Sequence, residues 1–389
     1  MIQRIFWLVA DSFGIGHAPD AAAFGDEGAD TLASCLQSGK LCVPTLQTLG
    51  LFHIDGVEGT RNGTPIGAFG RLQEASRGKD TTIGHWELCG VQSATPLPTY
   101  PDGFPSEVIE NLKASFGRDI LCNRPYSGTE VIRDYGEEHV KTGALIVYTS
   151  ADSVLQIAAH EEIVPLEELY RCCEQARQLL QGEHGVGRVI ARPFRGDAEN
   201  GFFRTKNRHD YSLTPPKETV LDALKQAKFE VIGIGKIHDI FAGQGLTRTI
   251  RTENNADGLK TTRALMNEEF RGLCFVNLVD FDMVYGHRRD VDGYVRALNE
   301  MDAALADLLT QMREGDILML TADHGCDPAF RGTDHTREAV PFLAVGTPIL
   351  ENVNLGTRTS FADVGATIAE LFGVQAPPCG TSFAKEMIR

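Results

Sequence analysis

The sequence ILMLTADHG, residues 317–325, is an apolar run that ends in an acid, a histidine and a glycine. A run of this length without a charged residue is typical of a strand buried on both faces of a parallel sheet. Residues 5–10, IFWLVA, have the same character and end at Asp11. Because ligands of open α/β sheets bind beyond the carboxyl ends of the strands, we expect Asp11 and Asp323 at one edge of a sheet.

Three further apolar runs of strand length each lead to a polar residue: 275–279 to Asp282, 231–235 to Lys236 and 145–148 to Asp152. Helical patterns separate several of the runs. After Asp290, apolar side chains recur at alternating spacings of three and four, at Tyr294, Leu298, Met301, Leu305, Leu308 and Met312. This spacing predicts an amphipathic helix that packs on the sheet. The alternation of strands and helices predicts an α/β fold with a mostly parallel sheet.

Two proline-rich stretches indicate boundaries between compact units. Four prolines fall within residues 96–105, and residues 212–216 read SLTPP. Prolines outside a continuing helix or strand are typical of linkers. We therefore predict a discontinuous metal-binding catalytic core, residues 1–97 and 215–389, with an inserted α+β cap for substrate binding, residues 98–214.

The composition restricts the partners of the protein. The 389 residues carry a formal net charge of −16, and a surface of this sign repels nucleic acid and anionic lipid. We expect neither nucleic acid nor membrane as a partner, and a phosphorylated substrate needs a local cationic site. Nine cysteines without a CxxC pair, and no apolar run of membrane-spanning length, favour a cytoplasmic protein with reduced thiols.

Three carboxylates and three imidazoles follow the predicted strands: Asp11, Asp282, His287, Asp323, His324 and His335. Mixed oxygen and nitrogen ligands suit Mn²⁺ or Zn²⁺ and are too rich in nitrogen for Ca²⁺. Six ligands exceed one tetrahedral zinc site but suit two metals about 3.5–4 Å apart, as in phosphatase-type sites. Each residue alone is more often a cap or a salt-bridge partner, but the set of six predicts a two-metal phosphoryl-transfer site.

The candidate nucleophile lies in GKDTTIGHWE, residues 78–87. Metal coordination lowers the pKa of a threonine hydroxyl and orients it for attack. An isolated Asp-Thr-Thr sequence is more often a helix cap or turn. Spacing alone does not choose between Thr81 and Thr82.

The segment 188–208 is basic in an otherwise acidic chain, with Arg188, Arg192, Arg195, Arg204, Lys206 and Arg208. Arginine forks match phosphate oxygens, so the segment is a candidate phosphate-docking surface. A solvated charged face paired with Asp197 and Glu199 is an equally good interpretation. Lys236, at a predicted strand end, is a further candidate contact.

Taken together, the motifs resemble the phosphopentomutases of the alkaline phosphatase superfamily over the length of the chain. The resemblance covers DSFGIG (11–16), APDA (18–21), GKDT (78–81), GHWE (84–87), YTSADS (148–153), NRHDY (207–211), DFD (280–282), GHRRD (286–290), TADHG (321–325) and GTDHTRE (332–338). It implies a three-layer alkaline-phosphatase-like core with an inserted cap. The implied reaction interconverts ribose 1-phosphate, or its 2-deoxy analogue, with the 5-phosphate.

The resemblance also implies roles for individual residues. One Mn²⁺ would be held by Asp282, His287 and His335, and a second by Asp11, Asp323 and His324 together with the Thr81 oxygen. The family pattern selects Thr81 as the phosphorylated residue, with a sugar bisphosphate as intermediate and activator. The implied contacts to the pentose phosphate are Ser150, Asp152, Arg188 and Arg204 in the cap and Lys236 in the core. A closing cap is expected to keep water from the phosphothreonine.

One position departs from the expected pattern, because Cys326 stands where the resemblance leads us to expect Asn. A thiol lacks the donor and acceptor pair of an amide, so orientation of the site is expected to differ there. The nearer rival functions on the same core are a phosphomonoesterase and a cofactor-independent phosphoglycerate mutase, although the latter leads us to expect Asn-Ser rather than Asp80-Thr81. A non-catalytic metal-binding protein is the more distant rival.

Overall fold

The computed structural model describes residues 2–150 and 152–389. Ala151, which belongs to one of the motifs quoted above, lies outside the described residues. Within the described ranges no helix has the length and apolar character that crossing a bilayer requires. The chain forms two compact units, referred to here as the first unit (Met1–Pro96 with Pro215–Arg389) and the second unit (Leu97–Thr214).

The first unit alternates strands and helices, as the apolar pattern predicts. Its amino-terminal part contains β1 (Arg4–Ala10), α1 (Ala21–Phe24), α2 (Thr31–Gln37), α3 (Pro44–Leu49), β2 (Ala68–Leu72) and α4 (Thr81–Leu88). The second unit then contributes α5 (Ser106–Phe116), β3 (Ile120–Pro125), α6 (Glu130–Thr142), β4 (Leu145–Thr149), β5 (Val154–His160), α7 (Leu166–Leu179), β6 (Arg188–Asp197), β7 (Gly201–Arg204) and β8 (His209–Ser212).

The remaining elements complete the first unit. They are α8 (Val220–Gln226), β9 (Glu230–Ile234), α9 (Ile237–Ile240), β10 (Arg248–Ile250), α10 (Asn255–Met266), β11 (Gly272–Leu278), a π-helical segment (Phe281–Gly286), α11 (Val291–Gln311), β12 (Asp316–Thr321), β13 (Val340–Val345), β14 (Val353–Arg358), α12 (Ala362–Phe372) and α13 (Ala384–Met387). Short 3₁₀ turns occur at Leu51–His53 and Gly182–His184.

The sheet of the first unit has eight strands in the order β10-β9-β11-β1-β12-β13-β2-β14. The five strands from β10 to β12 are parallel, whereas β13 runs antiparallel to both of its neighbours. Every residue of β1, β11 and β12 is buried, as is typical of parallel strands covered on both faces. The predicted α/β core with a mostly parallel sheet is therefore confirmed.

The predicted amphipathic helix is α11, whose stripe packs inward. Tyr294, Leu298, Met301, Leu305 and Leu308 are all buried. The Asp290 side chain accepts a hydrogen bond from the Gly293 amide at 2.9 Å and so caps the first turn. The helix supports the sheet and contributes none of the predicted metal ligands.

The second unit contains a six-stranded mixed sheet, in which β3 to β7 follow chain order and β8 pairs with β6. Side chains of β4 alternate between its faces: Leu145 and Val147 pack with α5 and α7, whereas Ile146 and Tyr148 pack with α6. The unit therefore has an α+β arrangement with its own apolar core on each face of the sheet.

Candidate metal centre and nucleophile

Asp11 and Asp323 follow the carboxyl ends of the adjacent parallel strands β1 and β12. Both side chains are fully buried. The His324 Nε2 atom lies 3.4 Å from Asp11 Oδ1 and 3.3 Å from Asp323 Oδ2. The sheet topology thus brings two carboxylates and one imidazole to a single point, as the strand-end argument predicts.

A second group lies at the same sheet edge. Asp282 sits in the π-helical segment that follows β11, and π-helical turns of this kind are frequent at functional sites. Its two carboxylate oxygens lie 3.2 Å from His335 Nε2 and 3.3 Å from His287 Nε2. The rings of His324 and His335 stack with their centroids 3.9 Å apart, so the two groups are contiguous.

The three histidines are oriented in the same way. Each directs Nδ1 at a backbone carbonyl: His324 at Gly325 (3.0 Å), His335 at Lys79 (2.8 Å) and His287 at Thr333 (2.6 Å). A donor bond from Nδ1–H leaves Nε2 as the metal-binding atom. The Nε2 atoms of His335 and His287 face each other at 3.1 Å. Two lone pairs at that distance require a proton or a cation beside them.

Buried carboxylate oxygens without donors indicate that a cation fits this centre. Among the described residues, Asp11 Oδ1, Asp282 Oδ1 and Asp323 Oδ2 are buried and make no hydrogen bond, although each faces an imidazole nitrogen at 3.1 to 3.4 Å. An unpaired buried carboxylate oxygen is costly, and coordination of a divalent cation removes that cost. The donor set of carboxylate oxygens and imidazole nitrogens suits Mn²⁺ or Zn²⁺.

Burial and the short distances between carboxylates and imidazoles shift the pKa values of several groups in the cluster. Burial, together with the nearby charge of Asp323, raises the pKa of Asp11. Burial alone would also raise the pKa of Asp282, but His335 and His287 hold that pKa well below its usual range. The hydrogen bond with Asp282 raises the pKa of His287 to about 9. The raised pKa of His287 favours a proton on that imidazole in the metal-free chain, and a cation bound beside Asp282 would take its place.

Three ligand sets have their donor atoms within 4.8 Å of one another: Asp11–Asp323–His324, Asp282–His324–His335 and Asp282–His287–Cys326. The first set consists of the side chains predicted for one metal, which is called the inner site below. The other two sets share between them the three ligands predicted for the other metal, called the outer site, although neither set contains all three. The last set also contains Cys326, the residue that departs from the expected family pattern.

Thr81 is the first residue of α4, and its hydroxyl reaches the cluster. Thr81 Oγ1 lies 3.1 Å from His324 Nε2. The helix cap is Asp80, whose Oδ1 accepts hydrogen bonds from the amides of Thr82 (3.0 Å) and Ile83 (3.1 Å). The cap interpretation of Thr81 is therefore wrong, because the neighbouring aspartate fills that position and leaves the Thr81 hydroxyl free to face the imidazole.

Three residues that support the ligands were not assigned a role from the sequence. Asn277 Nδ2 donates to Asp11 Oδ2 at 2.8 Å, and the Ser12 amide donates to Asp323 Oδ1 at 3.0 Å. His85 Nδ1 lies 3.1 Å from Asp323 Oδ2 and 2.9 Å from the Thr81 carbonyl. A polar asparagine within the apolar run 275–279 is the signal that would have identified Asn277.

The predicted substrate contacts fall in both units. In the first unit, Lys236 follows the carboxyl end of β9 and is half-buried. In the second unit, Ser150 and Asp152 follow β4, and Arg188 begins β6. The register places Arg188 level with Val154, at the same sheet edge. Arg204, on β7, pairs with Phe194 further along β6 and therefore lies away from that edge.

The basic segment is only partly paired with carboxylates. Arg195 bonds to Glu161 at 2.6 Å, and Arg208 binds Asp210 through two nitrogens. Asp197 is occupied instead by the amides of Glu199 and Asn200, so the predicted pairing of the arginines with Asp197 and Glu199 is not the arrangement found. Arg192 and Arg204 have no salt-bridge partner among the described residues.

Comparisons with known proteins agree with this site. The metalloenzyme superfamily matches residues 3–376. A phosphopentomutase of Lachnoclostridium phytofermentans is 55% identical over 390 residues and covers 100% of both chains. A phosphopentomutase of Clostridium novyi is 53% identical over 391 residues, again with 100% of both chains covered. That of Caldanaerobacter subterraneus is 53% identical over 388 residues, with coverage of 100% and 98%.

Solved structures resemble the fold at much lower identity. The PH0037 protein from Pyrococcus horikoshii aligns with a TM-score of 0.50 at 15% identity, over 96% of this chain and 98% of that one. A phosphoglycerate mutase of Leishmania mexicana aligns with a TM-score of 0.50 at 13% identity, over 98% and 97%. These likenesses support the alkaline-phosphatase-like core. Identity near half over the full length decides the family: the chain belongs to the phosphopentomutases of the metalloenzyme superfamily, and it is an enzyme of the isomerase class.

Proposed function

We propose that the protein interconverts ribose 1-phosphate, or 2-deoxyribose 1-phosphate, with the corresponding 5-phosphate through a phosphorylated Thr81. The observation that carries this proposal is the Thr81 hydroxyl 3.1 Å from His324 Nε2. The hydroxyl therefore reaches a cluster in which, within the described ranges, one buried oxygen of each of its three carboxylates makes no hydrogen bond. The names of the full-length relatives support the same substrate class.

The six predicted ligands would hold two Mn²⁺ ions, the inner one by Asp11, Asp323 and His324 and the outer one by Asp282, His287 and His335. Bound divalent cations neutralise charge on a transferring phosphoryl group and lower the pKa of an attacking hydroxyl. The contribution of the protein is to hold these ligands in place. His85 and Asn277 hold the inner carboxylates, and the backbone carbonyls bonded to Nδ1 fix the imidazoles.

In the proposed cycle, phospho-Thr81 gives its phosphoryl group to the free hydroxyl of a pentose monophosphate. The resulting bisphosphate turns end for end, and the Thr81 oxygen accepts the other phosphoryl group. A sugar bisphosphate can prime Thr81 by the same reaction, which explains its proposed role as activator. Each transfer breaks one P–O bond and forms another, so no phosphate is released.

Substrate recognition is proposed for the second unit through Ser150, Asp152, Arg188 and Arg204, with Lys236 of the first unit as a further contact. Arg204 has no carboxylate partner among the described residues, which favours phosphate binding over a purely structural role. Arg188 Nη1 lies 3.7 Å from Asp210 Oδ2, a carboxylate that Arg208 also binds. We further propose a cytoplasmic location, which is supported by the nine cysteines, all of them free thiols.

The test compares Thr81→Ala with Thr82→Ala, because the two residues are neighbours and only one faces His324. Purified protein receives ribose 5-phosphate, Mn²⁺ and a catalytic amount of a sugar bisphosphate, and a nucleoside phosphorylase with a purine base converts ribose 1-phosphate to nucleoside. We expect Thr81→Ala to lose activity on the order of a thousandfold or more, while Thr82→Ala stays within about threefold. Normal turnover in Thr81→Ala would exclude the phosphothreonine route.

The same reactions distinguish the rival activity on this core. A phosphomonoesterase would release inorganic phosphate in proportion to the substrate consumed, whereas the mutase conserves it. Intact-protein mass spectrometry after incubation with the bisphosphate should find one added phosphoryl group in the wild type and in Thr82→Ala. Its absence from both proteins, or its presence in Thr81→Ala, would contradict the assignment.

A further inference from the structure

The thiol of Cys326 lies against the proposed outer metal site. Its Sγ atom, a carboxylate oxygen of Asp282 and a ring nitrogen of His287 are all within 4.8 Å of one another. Cys326 is 1% exposed. The only polar contact of the thiol within the described residues is the Asp334 carbonyl at 3.7 Å, which is a weak hydrogen bond. The sulfur therefore has no strong partner although it is buried beside a carboxylate.

The position of the sulfur is fixed by the backbone on both sides. The Cys326 amide donates a hydrogen bond to the carbonyl of Ser12 at 3.2 Å, and Ser12 is the residue after Asp11. On the other side, a Cβ added at Gly286 would lie 2.8 Å from the sulfur. The glycine allows the π-helical segment that carries Asp282 to approach the thiol closely. Asp282 also indicates a ligand here, because its side chain is 6% exposed and its Oδ1 makes no hydrogen bond in the described part of the chain, although it faces His335 Nε2 at 3.2 Å.

We propose that Cys326 is a metal-selective ligand of the outer site, one that binds thiophilic cations such as Zn²⁺, Co²⁺ and Cd²⁺ but not Mn²⁺. The inference rests on the proposed metal centre. Thiolate sulfur prefers soft and borderline cations, whereas Mn²⁺ prefers oxygen. When the bond between sulfur and the cation forms, the thiol proton goes to solvent, and no oxidation state changes.

The fourth ligand has a consequence for the reaction. Asp282, His287 and Cys326 form one set of neighbouring donors, and His335 Nε2 lies 3.2 Å from Asp282 Oδ1 and 3.1 Å from His287 Nε2. A cation held by all four residues would have a closed tetrahedral site, whereas a catalytic site keeps one position open. A thiophilic cation held by all four leaves no position for a phosphate oxygen. Binding of such a cation would therefore inhibit the reaction, and the inhibition would depend on Cys326.

The test uses cobalt as a spectroscopic probe of the metal-free protein. Co²⁺ is titrated into the wild type, Cys326→Ser, Cys326→Ala and, as a matched thiol control, Cys42→Ser, whose cysteine is exposed. We expect visible d–d bands in all four proteins, and a near-ultraviolet sulfur-to-cobalt charge-transfer band only in the wild type and Cys42→Ser. The alanine variant keeps the result interpretable if serine itself disturbs the site.

The outcomes separate this inference from the metal centre on which it rests. Visible bands in the wild type without a charge-transfer band would overturn the role of Cys326 and leave the two-metal centre intact. Absence of visible bands from every protein would overturn both. In competition titrations, Cys326→Ser should weaken Cd²⁺ binding on the order of tenfold or more and change Mn²⁺ binding less. Equal losses for the two cations would also refute the selectivity.

Discussion

Glu338 should give the stability of the first unit a measurable pH dependence. Its side chain is 1% exposed and accepts four hydrogen bonds. Oε1 accepts from the hydroxyls of Thr31 (2.8 Å) and Thr336 (2.7 Å). Oε2 accepts from the amides of Thr31 (2.9 Å) and Gly16 (3.2 Å). Despite these donors, burial raises the pKa of Glu338 from 4.5 to about 7.

The sign of the effect follows from proton linkage. Between pH 4.5 and about 7 the folded state keeps a proton that the unfolded chain has lost. The stabilisation is therefore complete below pH 4.5 and is lost as the pH rises through about 7. A shift of this size corresponds to about 3 kcal/mol in the free energy of unfolding. Other groups titrate in the same range, so the contribution must be isolated by comparison with a variant that does not titrate.

Glu338→Gln provides that comparison. The glutamine carbonyl can accept from the two amides, and its NH₂ group can donate to the two hydroxyls, which rotate to accept. The difference in unfolding free energy between wild type and Glu338→Gln should shift by about 3 kcal/mol, against the wild type, between about pH 5 and pH 8. Exposed Glu351, changed to Gln, controls for the loss of one negative charge.

Urea unfolding followed by tryptophan fluorescence measures this difference, because Trp7 and Trp86 are both buried in the first unit and are the only tryptophans in the chain. The Mn²⁺ concentration is held saturating at each pH so that metal binding contributes equally to both proteins. Parallel pH profiles for wild type and Glu338→Gln would refute the reasoning, since they would mean that Glu338 ionises in the folded state as it does in the unfolded chain.

Three further outcomes are expected. Chelation of divalent cations should lower the Tm seen by calorimetry, because buried carboxylate oxygens then lose their counter-charge; an unchanged Tm would argue against a structural contribution of the metals. Arg188→Ala should raise KM for the pentose phosphate severalfold with metal occupancy unchanged, whereas Arg171→Ala on α7 should leave KM alone; equal KM values would remove Arg188 from the binding site. His85→Ala should weaken metal binding about tenfold or more, measured by titration calorimetry, because the His85 ring holds Asp323; wild-type affinity would show that His85 does not position that ligand.

The proposed metal ligands could be predicted from the sequence because the positions of several of them follow from strand geometry. Asp11 and Asp323 each end an apolar run, and parallel strands carry such residues to one edge of the sheet. The same argument applied to Asp282 and to Lys236 at β9. In these cases the local sequence places each residue at the end of a strand, and the parallel arrangement of the strands brings the strand ends to one edge of the sheet.

Other features depend on contacts in the folded structure and could not be predicted from the spacing of residues alone. The choice between Thr81 and Thr82 rests on Asp80, which uses its side chain to cap α4 and leaves the Thr81 hydroxyl facing His324. The hydrogen bond from Asn277 to Asp11 joins residues on neighbouring strands. Edge strand β14 was also missed, because it reads VNLGTR and contains an irregularity in its pairing with β2.

A net charge of −16 and a dianionic substrate are compatible for a local reason. In the first unit, the acids of the proposed centre are concentrated at one sheet edge, where two divalent cations would offset the three carboxylates and leave the site positive. In the second unit, Arg192 and Arg204 have no carboxylate partner among the described residues, so their charge is available to a phosphate. The acidic surface elsewhere disfavours nucleic acid, which binds through many phosphates at once. A small sugar phosphate needs only these few cationic points, and therefore the overall charge selects against large polyanions without excluding the substrate.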